Sequence, residues 1–477
     1  MYSLIALSTL LVSQCWDNSG AVPPSEIPLV NGSANQQPFG PAQTPVTPTA
    51  QAQPHIPSGG VDSQVVPVAG QSDAAFISKA TPADLPLTDD PSLGYVTHQE
   101  LQAKVEKLAW RKGDFTVVPY GTVWGSMSYD SQRSKIGDYA LWFESQDTHP
   151  HDPDFNVDAK STRVGLDFTG PCIPYLCDAK IGGKVEVDFQ GQFVTRNKPG
   201  LLLRHAYVEA KHDDYRLLVG QTWDVISPLG IPTLNYTAGS AVGNLAYRRA
   251  QFRAERYLAF SDRFLMALQG SLNGNVVTDF VSDPATTTSA DPGPYPDIQG
   301  RVGFTLGDRG PDSKPIVLGV GGHIGIQSFD FRTAPVVLGD EILTYSLATD
   351  MVIPLASRWG VQGEFFTGYN LSNYMGGILQ GIDRVTRQGI HATGGWVDIY
   401  FDWTPSVHTH TGFAIDDPLD QDMTSGRTRN QMYFTNVLWD ATKNLQFGLE
   451  VDVWDTDYIA LAAGEGTRLE FATKYKF

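Results

Sequence analysis

The chain has 477 residues, 41 % of them hydrophobic and 11 % aromatic, with 47 glycines and 31 prolines, a balance that suits many strands and turns better than a helical bundle. Its formal net charge is −18 with an isoelectric point of about 4.9, which argues against a nucleic-acid partner. No stretch supplies the ~18–20 uninterrupted apolar residues of a spanning helix, so a helical membrane protein is excluded.

"MYSLIALSTLLVSQCW" carries an apolar run of signal-peptide length followed by small residues and Cys15, so residues 1–16 read as an export segment. The run has no Lys or Arg before it, and "LVSQC" places Gln14 where a lipoprotein box has a small residue. Residues 17–94 are rich in Pro, Gln, Ala, Ser, Gly and Val without period, and such a segment buries too little apolar surface to offset its ordering entropy. It is expected to be a disordered, extended spacer, an arm able to reach the cell wall.

"THQELQAKVEKLAWRKG" follows. Thr97 and Glu100 make a capping box, Leu101, Val105 and Leu108 line one face, and Gly113 is a stop, which predicts a short amphipathic helix over 95–113. The 4, 3 spacing is compatible with a trimeric coiled coil and equally with a lone periplasmic helix.

From 114 to 477 the texture changes to alternation. Val164, Leu166 and Phe168 alternate with Arg163, Gly165 and Asp167; Val185, Val187 and Phe189 alternate with Lys184, Glu186, Asp188 and Gln190. Tight turns such as "HDD", "SDR", "TPS" and "TK" exchange with long loops at 130–160, 224–243, 274–296, 329–341, 371–391, 416–428 and 456–466. Short turns on one rim and long loops on the other predict an all-β fold, a transmembrane antiparallel barrel of about 16 strands in the bacterial outer membrane. The chain ends "RLEFATKYKF", a strand whose aromatic face finishes at Tyr475 and Phe477. Those two residues resemble the C-terminal signal read by the barrel-assembly machinery.

A lysine or arginine facing lipid at mid-membrane costs ~2–4 kcal/mol, so Arg163, Lys184, Arg468 and Lys474 are expected to face inward and leave a wet, charged interior. The loop from Asp224 to Gly243, poor in charge and stiffened by Pro228, Gly230 and Pro232, is the candidate constriction. In "YRRAQFRAERY", Tyr247, Arg249, Gln251 and Arg253 share one face, so Arg249, Gln251 and Arg253 are candidate pore-lining residues, joined by Arg204 and Arg163 on neighbouring strands. Guanidinium groups along a narrow aqueous passage hold carboxylates bidentately, unless Glu186, Asp188, Glu450 and Asp452 neutralise them.

Cys172 and Cys177 in "GPCIPYLCDAK" can close a small disulfide loop. No spacing specifies a metal site, "GVGGHIG" lies inside a strand rather than at a strand-to-helix turn, and no catalytic constellation stands out. Neither enzymatic activity nor a cofactor is expected.

"VEVDFQGQF" and "LLLRHAYVEAKHDDYRLLVGQTWDV", with "RRAQFR", "GGWVDIYF" and "FAIDDP" further on, resemble the DcaP-like family of trimeric outer-membrane porins. The resemblance spans residues 95–477. It implies a homotrimer of sixteen-stranded barrels, a periplasmic coiled coil before them, and passage of small, often anionic solutes such as dicarboxylates. It also implies that Arg204 and Gln221 belong to the pore wall and Arg249 and Arg253 to the constriction. The leading reading is therefore a diffusion porin for small hydrophilic solutes. The alternative is a structural barrel anchored to the cell wall through its N-terminal arm.

Overall fold

The structure is a computed structural model and describes residues 109–477 apart from 196–197, 238, 246, 277–287, 310–312 and 333–334. The expected export segment, the Pro-rich spacer and most of the expected helix lie outside the described residues. The helix does not reach Gly113: Trp110–Lys112 is a strand that pairs antiparallel with Phe115–Val117. Gly113 stands at φ +61° in the tight turn between them. A residue read as a helix stop serves instead as a hairpin turn.

Sixteen strands build the barrel, and each pairs antiparallel with the next. They are β1 (Phe115–Asp130), β2 (Arg163–Ile173), β3 (Ala179–Thr195), β4 (Lys198–His212), β5 (Tyr215–Trp223), β6 (Arg248–Ser261), β7 (Phe264–Asn273) and β8 (Asp297–Leu306). They continue as β9 (Ile316–Phe331), β10 (Val337–Pro354), β11 (Trp359–Tyr369), β12 (His391–Thr404), β13 (Val407–Pro418), β14 (Arg427–Asp440), β15 (Leu445–Tyr458) and β16 (Leu461–Lys476).

The ring closes where β16 pairs with β1, from Thr122 opposite Lys476 to Asp130 opposite Arg468. Phe477 extends the seam, exchanging backbone hydrogen bonds with Gly121 at 3.0 and 3.1 Å. Closure leaves no strand edge unpaired, which is what a sheet needs if its surroundings cannot supply hydrogen bonds.

Alternation sorts the side chains between two faces. Val185, Leu203, Val208, Val219, Phe365, Leu449 and Phe471 are exposed on the outside, while Arg163, Lys184, Arg468 and Lys474 are buried on the inside. Aromatic pairs gather near the short-turn rim, with Phe260 and Phe264 stacked at 5.2 Å, Trp439 and Phe447 at 5.6 Å, and Phe401 beside Trp403 at 4.7 Å. Tyr345 with Tyr369 and Phe413 with Tyr433 repeat the pattern toward the other rim, at 5.9 and 4.7 Å. Two aromatic belts flanking an aliphatic band suit the two interfaces of a bilayer. Tyr475 and Phe477, 48 % and 49 % exposed, belong to the short-turn belt.

The expected Cys172–Cys177 disulfide is not formed, and Cys172 keeps a free, exposed thiol. Strand β2 runs on past the first cysteine, so Cys172 pairs opposite Lys180. Cys177 ends the short 3₁₀ turn Pro174–Leu176 in a left-handed conformation. Cys177 is itself disulfide-bonded, so its sulfur is not available to Cys172.

Candidate functional site

The lumen is where the chemistry gathers, and it is packed rather than open. Three long loops fold inward. The first, between β1 and β2, inserts a small hairpin, Ser134–Ile136 with Ala140–Phe143, whose second strand is fully buried. The second runs from Asp224 to Tyr247 and is buried along most of its length. The third, 370–390, carries two single-turn 3₁₀ segments, Ser372–Tyr374 and Gly377–Leu379. Tyr139, Leu141, Trp142, Tyr236, Ala241, Tyr247, Met375, Ile378 and Leu379 from these loops form one apolar cluster inside the barrel. An inner wall of sixteen strands leaves room for such loops, and its inward-facing Arg163, Lys184, Arg249, Glu450 and Arg468 are buried rather than bathed in an open passage.

The second loop is held by carboxylates of the far wall. Glu364 on β11 accepts the Leu229 N–H at 2.8 Å and the Ser227 hydroxyl. Glu450 on β15 accepts the Leu234 N–H at 2.8 Å and an Asn436 amide N–H at 2.8 Å. Asn436 also donates to the Pro232 carbonyl at 2.8 Å, and Asn430 donates to the carbonyls of Leu141 and Ala241, each at 2.8 Å. The expected constriction loop thus lies inside the barrel, and part of the acidic wall is spent on its backbone.

Across the lumen the wall is basic, and most of the residues singled out in the sequence meet there. Arg204 is fully buried and donates to Glu186 at 2.5 Å and to Asp188 at 2.9 Å. Strict alternation from Ala206 and Val208 would send Arg204 outward. The ladder between β3 and β4 instead skips it, pairing Glu186 with His205 and Val187 with Leu203. Arg204 is the extra residue of a β-bulge, which turns it and His205 to the same inner face. Arg163 on β2 sits opposite Asp188 in its own ladder, with its guanidinium 5.6 Å from the Trp124 ring.

Arg249 and Arg253 are also inside, and both are engaged. Arg249 pairs with Asp224 at 2.7 Å, lies 3.9 Å from the Tyr374 ring centre and donates to the Asn373 carbonyl at 2.9 Å. Arg253 donates to Gln251 at 2.9 Å and to the Trp223 carbonyl, and faces Glu255 at 3.3 Å. Gln251 donates to the carbonyls of Thr222 and Trp223, both at 3.0 Å.

Gln221 is not a wall residue of the lumen. It pairs opposite Ala250 and Ala206 on the outer face, and its amide donates to the Leu203 carbonyl at 2.6 Å. The next residue, Thr222, faces inward opposite Arg249, so the period of two leaves Gln221 outside.

The residue that sequence reasoning missed is Arg248. Alternation assigns it to the outer face with Ala250, yet it is only 2 % exposed, with its guanidinium 4.6 Å from the Trp223 ring centre. Its ionisable neighbours are Arg204, Tyr236, Asp188 and Tyr247. None of its three guanidinium nitrogens has a hydrogen-bond partner among the described residues. The doublet "RR" where a strand leaves a buried loop was the available signal. Tyr236, on the loop facing it, donates to Asp188 at 2.6 Å, and burial together with that carboxylate pushes its hydroxyl above the ordinary phenol range. It therefore stays a neutral donor.

This closed, loop-constricted barrel has the fold of an outer-membrane channel. It is similar to the crystal structure of the outer-membrane channel DcaP of Acinetobacter baumannii, with a TM-score of 0.61 and 18 % identity over 77 % of this chain and 99 % of that one. An anion-selective porin from Comamonas acidovorans aligns at a TM-score of 0.49 and 11 % identity, over 76 % of this chain and 100 % of that one. No family model and no curated protein matches the sequence. The expected sixteen-stranded barrel and its likeness to DcaP are thus borne out in the fold.

Proposed function

We propose that the chain is a porin of the bacterial outer membrane through which small hydrophilic solutes diffuse, preferring anions such as dicarboxylates, and that it works as a homotrimer with its N-terminal arm in the periplasm. The observation that carries this reading is Arg248: a buried guanidinium with no hydrogen-bond partner among the described residues, beside Arg204, in the basic wall of the lumen. A guanidinium removed from water and left without an acceptor is held at high electrostatic cost, and a carboxylate offering two oxygens relieves it. The carboxylates beside it do not cancel this preference, because Asp188 and Glu186 are already paired with Arg204. The net charge of the whole chain therefore says little about the field a solute meets inside.

In this reading the roles divide. Arg249 and Arg253 shape the constriction through their ion pairs, Arg204 orients Asp188 and Glu186, and Arg248 meets the solute once the loops that bury it part. Passage requires no bond to be made or broken. Tyr475 and Phe477 serve assembly, and the outer aliphatic band meets lipid. A salt-gradient reversal potential in planar bilayers tests the reading: anion preference is expected for the native chain, weakened in Arg248→Met. Cation preference, or no change in the variant, defeats it.

The packed lumen favours a second reading, a structural barrel that stays shut while its N-terminal arm holds the cell wall. Steady ion current through the purified barrel counts against it, and binding of residues 17–112 to cell-wall material counts for it.

A further inference from the structure

The third inward loop carries an unusual run of backbone. Gly377, Ile378 and Leu379 stand at φ +65°, +48° and +58°, and Met375 just before them at +66°. Residues of the L series avoid this region, bulky and β-branched ones most strongly, and three in succession make a left-handed turn that only its surroundings can hold. Two side chains from the wall hold its backbone. Asp416 on β13, itself buried, accepts the N–H groups of Gly377 and Ile378 at 3.1 and 3.0 Å, and Arg427 donates to the Ile378 carbonyl at 3.0 Å.

Through Met375 the same turn supports the second loop, whose Ala241 N–H donates to the Met375 carbonyl at 2.9 Å. Ile378 and Leu379 complete the apolar cluster with Leu141, Trp142 and Tyr236. Glycines at 376, 377 and 381 bracket the segment, and its far end is tied by paired hydrogen bonds between Gln380 and Arg427 at 2.7 and 2.9 Å.

We propose that Gly376–Gly381 is a gate of the channel, captured here shut: a strained strap that Asp416 clamps across the lumen, and whose release lets the apolar cluster part and the passage open. This rests on the channel reading above and gives it a means of regulation. Strain concentrated in a segment with one carboxylate clamp favours two discrete states over gradual deformation. The second loop, anchored by Glu364, Glu450 and the Arg249–Asp224 pair, is the fixed frame against which the strap closes.

The Gly377 position separates strain from packing. A Cβ added there would meet nothing nearer than the Ala392 Cβ at 3.6 Å, an ordinary contact, so the first side-chain atom adds φ strain without a clash, and Val and Asn, similar in size, differ chiefly in their tolerance of that φ. Asn tolerates the left-handed region and Val does not. Single-channel recording of folded, heat-modifiable protein should therefore show the open fraction raised severalfold in Gly377→Val and in Asp416→Ala, with Gly377→Asn gating like the native chain. If Asp416→Ala does not fold, the two Gly377 variants still decide the matter. Current that is present but gates identically in Gly377→Val, Gly377→Asn and the native chain overturns the gate and leaves the channel. Silence from every variant overturns both.

Discussion

The carboxylate of Glu450 receives the backbone N–H of Leu234 on both oxygens, each at 2.8 Å, across the lumen from one wall to the tip of the inward loop. The two residues are 216 positions apart in sequence. The contact converts an acidic wall position into an anchor for the inward loop. A buried N–H left without its acceptor costs about 1–3 kcal/mol. Glu450→Ala should therefore loosen the loop tip, seen as larger and noisier single-channel conductance, while Glu450→Gln, which keeps one acceptor, should lie between it and the native chain.

Arg204 and Arg248 are neighbours in space with opposite predicted effects on stability. Arg204 satisfies two buried carboxylates, so Arg204→Met takes from Glu186 and Asp188 the guanidinium they share and should cost about 3–5 kcal/mol. Arg248 satisfies no described acceptor, so Arg248→Met should leave stability unchanged or raise it. The midpoint of the heat-induced mobility shift in detergent checks both. A large loss in Arg248→Met would mean that the guanidinium has a structural duty.

The closing seam depends on Gly121. A Cβ at this position would approach the Phe477 ring to 2.5 Å and the Arg163 carbonyl oxygen to 2.8 Å. Gly121→Val should lower the yield of folded, heat-modifiable barrel. Because the second obstacle is backbone, adding Phe477→Ala should not restore the yield.

Asp383 ties the third inward loop to the connection between β13 and β14. Burial pushes its carboxyl pKa up, but the N–H of Thr386, the hydroxyl and N–H of Thr424 and the N–H of Val385 outweigh burial and hold it below the ordinary carboxylate range. A depressed folded pKa contributes stability that is present above the unfolded value of ~3.9 and is lost as pH falls through the folded one. Amide protection at Thr386 and Thr424 should persist at pH 5 and fail only in stronger acid. Asp383→Asn should show weaker protection at pH 5 and converge on the native chain in strong acid.

The strands were legible because a period of two is local information: each residue's face follows from its neighbours, and lipid on one side enforces the sorting. Sixteen strands, the short and long connections, the inward Arg163, Arg249 and Arg253 and the aromatic terminus all follow from that rule. What the sequence could not determine begins where the rule breaks. A bulge turns Arg204 inward although its frame points out, and unbroken alternation sends Gln221 outward although its motif resembles a pore wall. Arg248 is drawn in at the mouth of a buried loop, and Cys172 is held opposite Lys180. Whether the lumen is open also lay beyond local pattern, since it depends on three loops distant in sequence meeting in one apolar cluster. Such contacts are set by which backbone N–H groups find the carboxylates of Glu364, Asp416 and Glu450, and only the closed barrel brings those groups within reach.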